Sequence, residues 1–168
     1  AAKVRRKDHI AARGVVVKGD AWAERKRFTL AHELGHMVID PSPGMSDDEI
    51  EKAAHRFSGA FLMPADTLRA EMGSNRSSVS LGELVALKER FGVSIQAIAY
   101  RCKDLGILKQ SAFVRLFKLF NKRGWRKPPH EEPGAIKPEL EEPKRFERLC
   151  YRALAENLIG EPRAAELL

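Results

Sequence analysis

At 168 residues, 43% of them hydrophobic, the chain can bury one good core and is too apolar for wholesale disorder. A formal charge of +7 invites nucleic acid, but the basic residues fall in separate short clusters, as on solvated faces, and charge alone supplies only nonspecific affinity. Two cysteines, Cys102 and Cys150, exclude a disulfide-dense secreted scaffold, and no apolar run approaches the roughly 20 residues that span a membrane.

No signal-peptide pattern opens the chain, so a cytoplasmic location is expected, with both cysteines as small buried hydrophobes. The lack of an initiating Met hints at a chain trimmed from a longer one. Val15-Val16-Val17, ended by Gly19-Asp20, predicts a strand and a turn. One or two further strands before it would make a small N-terminal sheet beside the next element.

That element is a helix through Phe28–Ile39, free of Pro from Thr29 onward and apolar outside its motif. It contains His32-Glu33-Leu34-Gly35-His36. Residues four apart share one helix face, so both imidazoles can reach one metal ion. Glu33 stands one position on, placed to take a proton from an attacking water. Zinc suits such a donor set, usually taking three protein ligands and leaving one position open. Pro41, Pro43 and Gly44 then break the chain.

Ser46-Asp47-Asp48-Glu49 reads as a capping box, followed by a stripe of Ile50, Ala54, Phe57 and Phe61 and a stop at Pro64. Glu51 and His55 lie next to that stripe. On spacing alone Glu51 is either a third ligand or a solvated helix residue, and His55 is its rival. Ser80-Leu81-Gly82-Glu83 is a second capping box for a helix ending near Gly92, and Ser94 caps another ending at Gly106.

This pair resembles a helix-turn-helix with Gln96, Tyr100, Arg101 and Lys103 on its second helix, although two core-packing helices are the favoured reading. Ala112, Phe113, Leu116, Phe117 and Phe120 mark a further amphipathic helix. Pro128 to Pro143 reads as an extended connector, with Trp125 and His130 at its entrance. Phe146, Leu149, Cys150 and Ala153 begin a last long helix stopped near Gly160, and the residues from Pro162 restart a helical pattern.

The stretch from Arg27 to His36, followed by Glu51-Lys52-Ala53-Ala54-His55-Arg56-Phe57-Ser58-Gly59-Ala60-Phe61-Leu62-Met63-Pro64, resembles the ImmA/IrrE metallopeptidase family. The resemblance covers roughly residues 15 to 120. It implies His32, His36 and Glu51 as zinc ligands and Glu33 as the catalytic base. His55 stands where many relatives carry Asn or Asp, and the first motif lies close to the start of the chain.

The expected fold class is α+β, predominantly helical, with a zincin-like helical core and a small N-terminal β-sheet. A peptidase domain would span residues 1–125, a Pro-rich connector 126–143 and a helical extension 144–168. The resemblance implies a regulatory zinc endopeptidase that cleaves a DNA-binding helix-turn-helix repressor in a stress or mobile-element response. A DNA-binding regulator or antitoxin-like module with a dormant metal site is the alternative. Neither His55, Tyr100, Arg56 nor His130 is singled out as the oxyanion donor.

Overall fold

The computed structural model describes residues 2–6, 9–15, 17, 21–127, 131–135 and 144–168, with the backbone alone for 2–14. Ala2–Arg6 (β1) and His9–Gly14 (β2) pair antiparallel, with an irregularity between Val4 and Arg5. Val15 and Val17 carry no strand, and Val16, Gly19 and Asp20 lie outside the described residues. Gly14 pairs with Ala2, where β1 begins, so among the described residues Val15 and Val17 have no partner strand. A sheet beside the motif helix is not supported among the described residues; the fold is predominantly helical.

Two compact units divide the chain, Ala1–Pro138 and Glu139–Leu168. In the first, α1 (Ala23–Val38) carries the His-Glu-x-x-His motif. α2 (Asp47–Leu62) starts at the expected box: Ser46 Oγ accepts from the Glu49 N–H and Glu49 Oε2 accepts from the Ser46 N–H. Pro64 ends α2 and also caps a helix the sequence reading passed over, α3 (Ala65–Met72).

α4 (Leu81–Phe91) and α5 (Ile95–Asp104) begin at Ser80 and Ser94, whose hydroxyls accept from Glu83 N and Ala97 N at 3.1 Å. The second box is only half made, because the Glu83 carboxylate turns away to hold Arg76 at 2.8 and 2.9 Å. A bidentate, charge-assisted pair outcompetes a single bond to a backbone amide. Gly92, at φ 64°, closes α4 in the left-handed region.

α6 (Gln110–Lys122) buries Ala112, Phe113, Leu116, Phe117 and Phe120, the face its spacing marks. With Met63, Leu68, Leu84, Ile95, Ile98 and Ile107 they form a core shared by α3 to α6. Cys102 lies within it as a free thiol, and burial pushes its pKa up to about 11, so it is a packing residue and not a nucleophile. Of the second helix's polar face, Gln96 Nε2 donates to Trp125 O, Arg101 Nε to Met63 O, and Lys103 stacks on Phe113. These engagements support a pair of packing helices.

The stretch 126–143, expected as an extended connector, contributes a packed segment. Glu132 is 4% exposed, and its Oε1 accepts from the Ile95 N–H and from Lys88 Nζ at 3.1 Å. Segment 131–135 is therefore held to α4 and α5, because a buried ammonium on α4 requires carboxylate partners.

The second unit holds α7 (Arg145–Ala155) packed on α8 (Glu161–Leu167), with Cys150 and Ala164 buried. α7 stops at Ala155, short of Gly160, where Asn157 adopts φ 57°. Phe146 and Leu149, expected on the inner face, are exposed, since one short helix covers only a narrow strip of its neighbour. Among the described residues no helix is long and apolar enough to cross a membrane.

Candidate metal centre

α1 and α2 lie antiparallel and close, because their contact is built from small residues. Ala31, Ala54, Ser58 and Gly35 are buried there, and Ser58 Oγ returns its hydrogen bond to Ala54 O within α2. A methyl group at Gly35 would stand 3.1 Å from Phe57 Cδ1 and 3.3 Å from Ala54 Cα. The spacing of the two helices is thus set at Gly35, next to His36.

That spacing brings three donors together. His32 Nε2 lies 3.2 Å from Glu51 Oε2, His36 Nε2 lies 3.1 Å from Glu51 Oε1, and the two Nε2 atoms are 3.1 Å apart. Donors around a tetrahedral zinc, with bonds of about 2.0–2.2 Å, stand roughly 3.3 Å from one another. The group His32, His36 and Glu51 therefore has the type, number and spacing of a metal-binding set. The histidines are partly buried, while Glu51 is 55% exposed and marks the open side.

Electrostatics agree with a ligand role. Burial lowers the His32 pKa, assisted by the imidazoles of His55 and His36 and opposed by Glu51 and Glu33. The ring is held neutral, the form that offers a lone pair. Among the described residues His32 Nδ1 is buried without a hydrogen-bond partner, and packing orients the ring: His36 meets it edge-on at 4.6 Å and His55 lies tilted at 4.4 Å. The part expected of His55 beside the ligands is thus ring contact.

Glu33 follows His32 on α1 and is half-buried. His55, Arg56 and Tyr100 line a recess beside this centre, and His130 lies outside the described residues.

Sequence reading missed what anchors α1. Lys88 Nζ, with no exposed surface, lies 2.6 Å from Glu24 Oε1 at the start of α1 and 3.1 Å from Glu132 Oε1. Burial raises the Glu132 carboxyl above the ordinary range against the pull of Lys88, and among the described residues its buried Oε2 has no partner. One turn further along α1, Arg27 Nη1 donates to Gly92 O. The signal was available: Lys88 stands four residues after buried Leu84, in the apolar stripe of α4.

Gly35→Ala is expected to keep the helices, since Ala favours a helix over Gly, yet to push α2 away by a few tenths of an ångström. Zinc affinity should fall roughly 10–100-fold, as for other changes just outside a ligand shell. Competition with a chromophoric chelator measures it, and an unchanged affinity would show that Gly35 does not set the donor spacing.

No curated protein and no solved structure matches the chain. Residues 1–103 match the family described as the IrrE N-terminal-like domain, a metallopeptidase family. This match takes in α1, α2 and all three converging donors, and the chain belongs to that family.

Proposed function

We propose that this chain is a zinc-dependent endopeptidase with a zincin-like helical core, in which His32, His36 and Glu51 hold the metal and Glu33 acts as general base. The observation that carries the reading is the convergence of three ligand atoms from two helices, all within 4.8 Å of one another. Bound there, the ion would act as a Lewis acid on a peptide carbonyl and lower the pKa of water toward neutrality. Glu33 takes the proton from the attacking water and passes it to the leaving nitrogen, so one carboxylate serves both proton transfers. His55, against His32 and open to solvent, holds the imidazole in place.

The substrate class follows from the family resemblance: a helix-turn-helix repressor, cut in a cytoplasmic stress or mobile-element response. The test is incubation with the repressor encoded nearest to this protein's gene. Cleavage is expected with added zinc and is expected to stop with chelator and return on zinc repletion. A repressor left whole at full zinc occupancy would remove the substrate assignment. The DNA-binding alternative gains no support from α5, whose four candidate polar residues all make contacts within the protein, Tyr100 through its ring against Phe113 and Phe117.

A further inference from the structure

The helix faces that carry the metal donors continue beyond them. Phe28 precedes His32 by four residues on α1, and His55 follows Glu51 by four on α2, about one turn of roughly 5.4 Å from the donors. Their rings lie 5.9 Å apart. Past them, Gly59 on α2 and Ala97 and Tyr100 on α5 bound a recess of about 370 Å³. A second hollow of about 440 Å³ shares Phe28, His55, Ala97 and Tyr100, so the two form one groove along α1, α2 and α5.

Its walls are the rings of Phe28, His55 and Tyr100, the Ala97 methyl group and bare backbone at Gly59. A Cβ at Gly59 would meet only Arg101 Cδ, at 3.5 Å, so the floor is open. Such a recess is within the size range of small-ligand sites, and a small side chain would leave its walls without contacts.

The rim is basic. Arg56 and Arg101 stand there with a single acid, Asp104, and Arg25 and Arg126 border the second hollow. Arg101 Nε donates to Met63 O and Arg126 Nη1 to Asn121 Oδ1, both neutral acceptors, and among the described residues none of the four guanidinium groups has a carboxylate within ion-pair distance. The acids of the second hollow, Glu24 and Glu132, are engaged by Lys88.

We propose that this groove seats the substrate polypeptide on one side of the cleaved bond. A large apolar side chain enters the recess between Phe28, Gly59, Ala97 and Tyr100, and an acidic residue beside it meets Arg56 and Arg101. The inference rests on the metal-centre reading above. An extended chain advances about 3.3 Å per residue, so a recess one helical turn from the donors receives a side chain one or two residues from the reacting carbonyl. Charge complementarity selects the neighbour: a carboxylate finds two cations with one competing acid, whereas a lysine meets repulsion.

The test uses the full chain as the zinc-loaded Glu33→Gln protein, which holds a peptide without cutting it, and three fluorescein-labelled hexapeptides. One has a single phenylalanine among glutamates, one replaces the phenylalanine by alanine, and one replaces the glutamates by lysines. By anisotropy the first is expected to bind about tenfold or more tightly than the second, from burial of the aromatic ring. The third is expected to bind more weakly than the first. Gly59→Leu fills the floor and Tyr100→Ala removes a wall. Each should bring the phenylalanine-to-alanine ratio to about one, with zinc affinity unchanged.

Equal affinity for the first two peptides, undetectable binding included, overturns the proposal, as does a ratio that survives in both variants. Lysine binding as tight as glutamate binding overturns the acidic part. In parallel, wild-type protein is given a randomised peptide mixture and its products are read by mass spectrometry. A retained ratio without products sinks the peptidase reading and keeps the groove; products without the ratio do the reverse.

Discussion

The Glu33→Gln protein is expected to take up zinc as the wild type does and to cleave its substrate roughly 10²–10⁴-fold more slowly, the usual contribution of a positioned general base. The amide nearly matches the carboxylate in shape but cannot accept the proton of the attacking water. Glu51→Ala should fail differently, because it removes one of three donors that stand 3.1–3.2 Å from their neighbours. Zinc should then be lost on dialysis, and cleavage with it. Metal analysis and product analysis on the two variants together separate the roles. Loss of zinc from Glu33→Gln would make Glu33 a ligand, and full occupancy in Glu51→Ala would take Glu51 out of the set.

The largest expected change in stability comes from Lys88→Met, outside the metal centre. Lys88 is fully buried against Glu24 and Glu132. Removing the ammonium leaves two carboxyl groups facing each other away from water, and breaking a buried pair in this way costs about 3–5 kcal/mol. For a protein of this size that is a fall in Tm on the order of 10 °C.

The loss has a pH signature. The folded pKa of Glu132 is raised, chiefly by burial, so its contribution to stability is complete below the ordinary carboxylate pKa and fades as pH rises through the folded value. Without Lys88 that raised value moves further up, and the variant should lose most relative to wild type near neutral pH and least in mild acid. Denaturant titrations at pH 5 and pH 7.5 read it, and an equal loss at both would mean that the cluster stays hydrated.

The common face of the two histidines was legible because helix geometry is local. His32 and His36 share a face by spacing alone, and Ser46 announces α2 by a box of four residues. Glu51 was half legible: spacing puts it beside the stripe of α2, but which carboxylate meets the histidines depends on how closely two helices approach. That approach is set by Gly35 against Ala54 and Phe57, a contact between distant residues that no periodicity displays. The N-terminal strand was misplaced because β-branched residues express a preference, while a strand needs a partner.

Glu24, Lys88 and Glu132 were invisible for a related reason. Charged side chains in a sequence read as solvated, and only tertiary structure brings an acid near residue 24 and another near residue 132 to one ammonium. Pro-rich composition around Glu132 pointed to a tether, whereas a single carboxylate secures residues 131–135 to α4 and α5. The amphipathic reading of α6 succeeded because all five predicted residues lie on one helix and face one core.

That Glu132 bond bears on how the protein can be shortened. The family match ends at residue 103, yet the aromatic wall of the core comes from α6 and the second carboxylate on Lys88 comes from residue 132. A fragment cut at the family boundary would retain every candidate ligand while losing the hydrophobic surface and the counter-ion that keep α4 and α5 together. Fragments ending at 103 should accordingly collect as aggregates, and those that include residue 135 should remain dispersed.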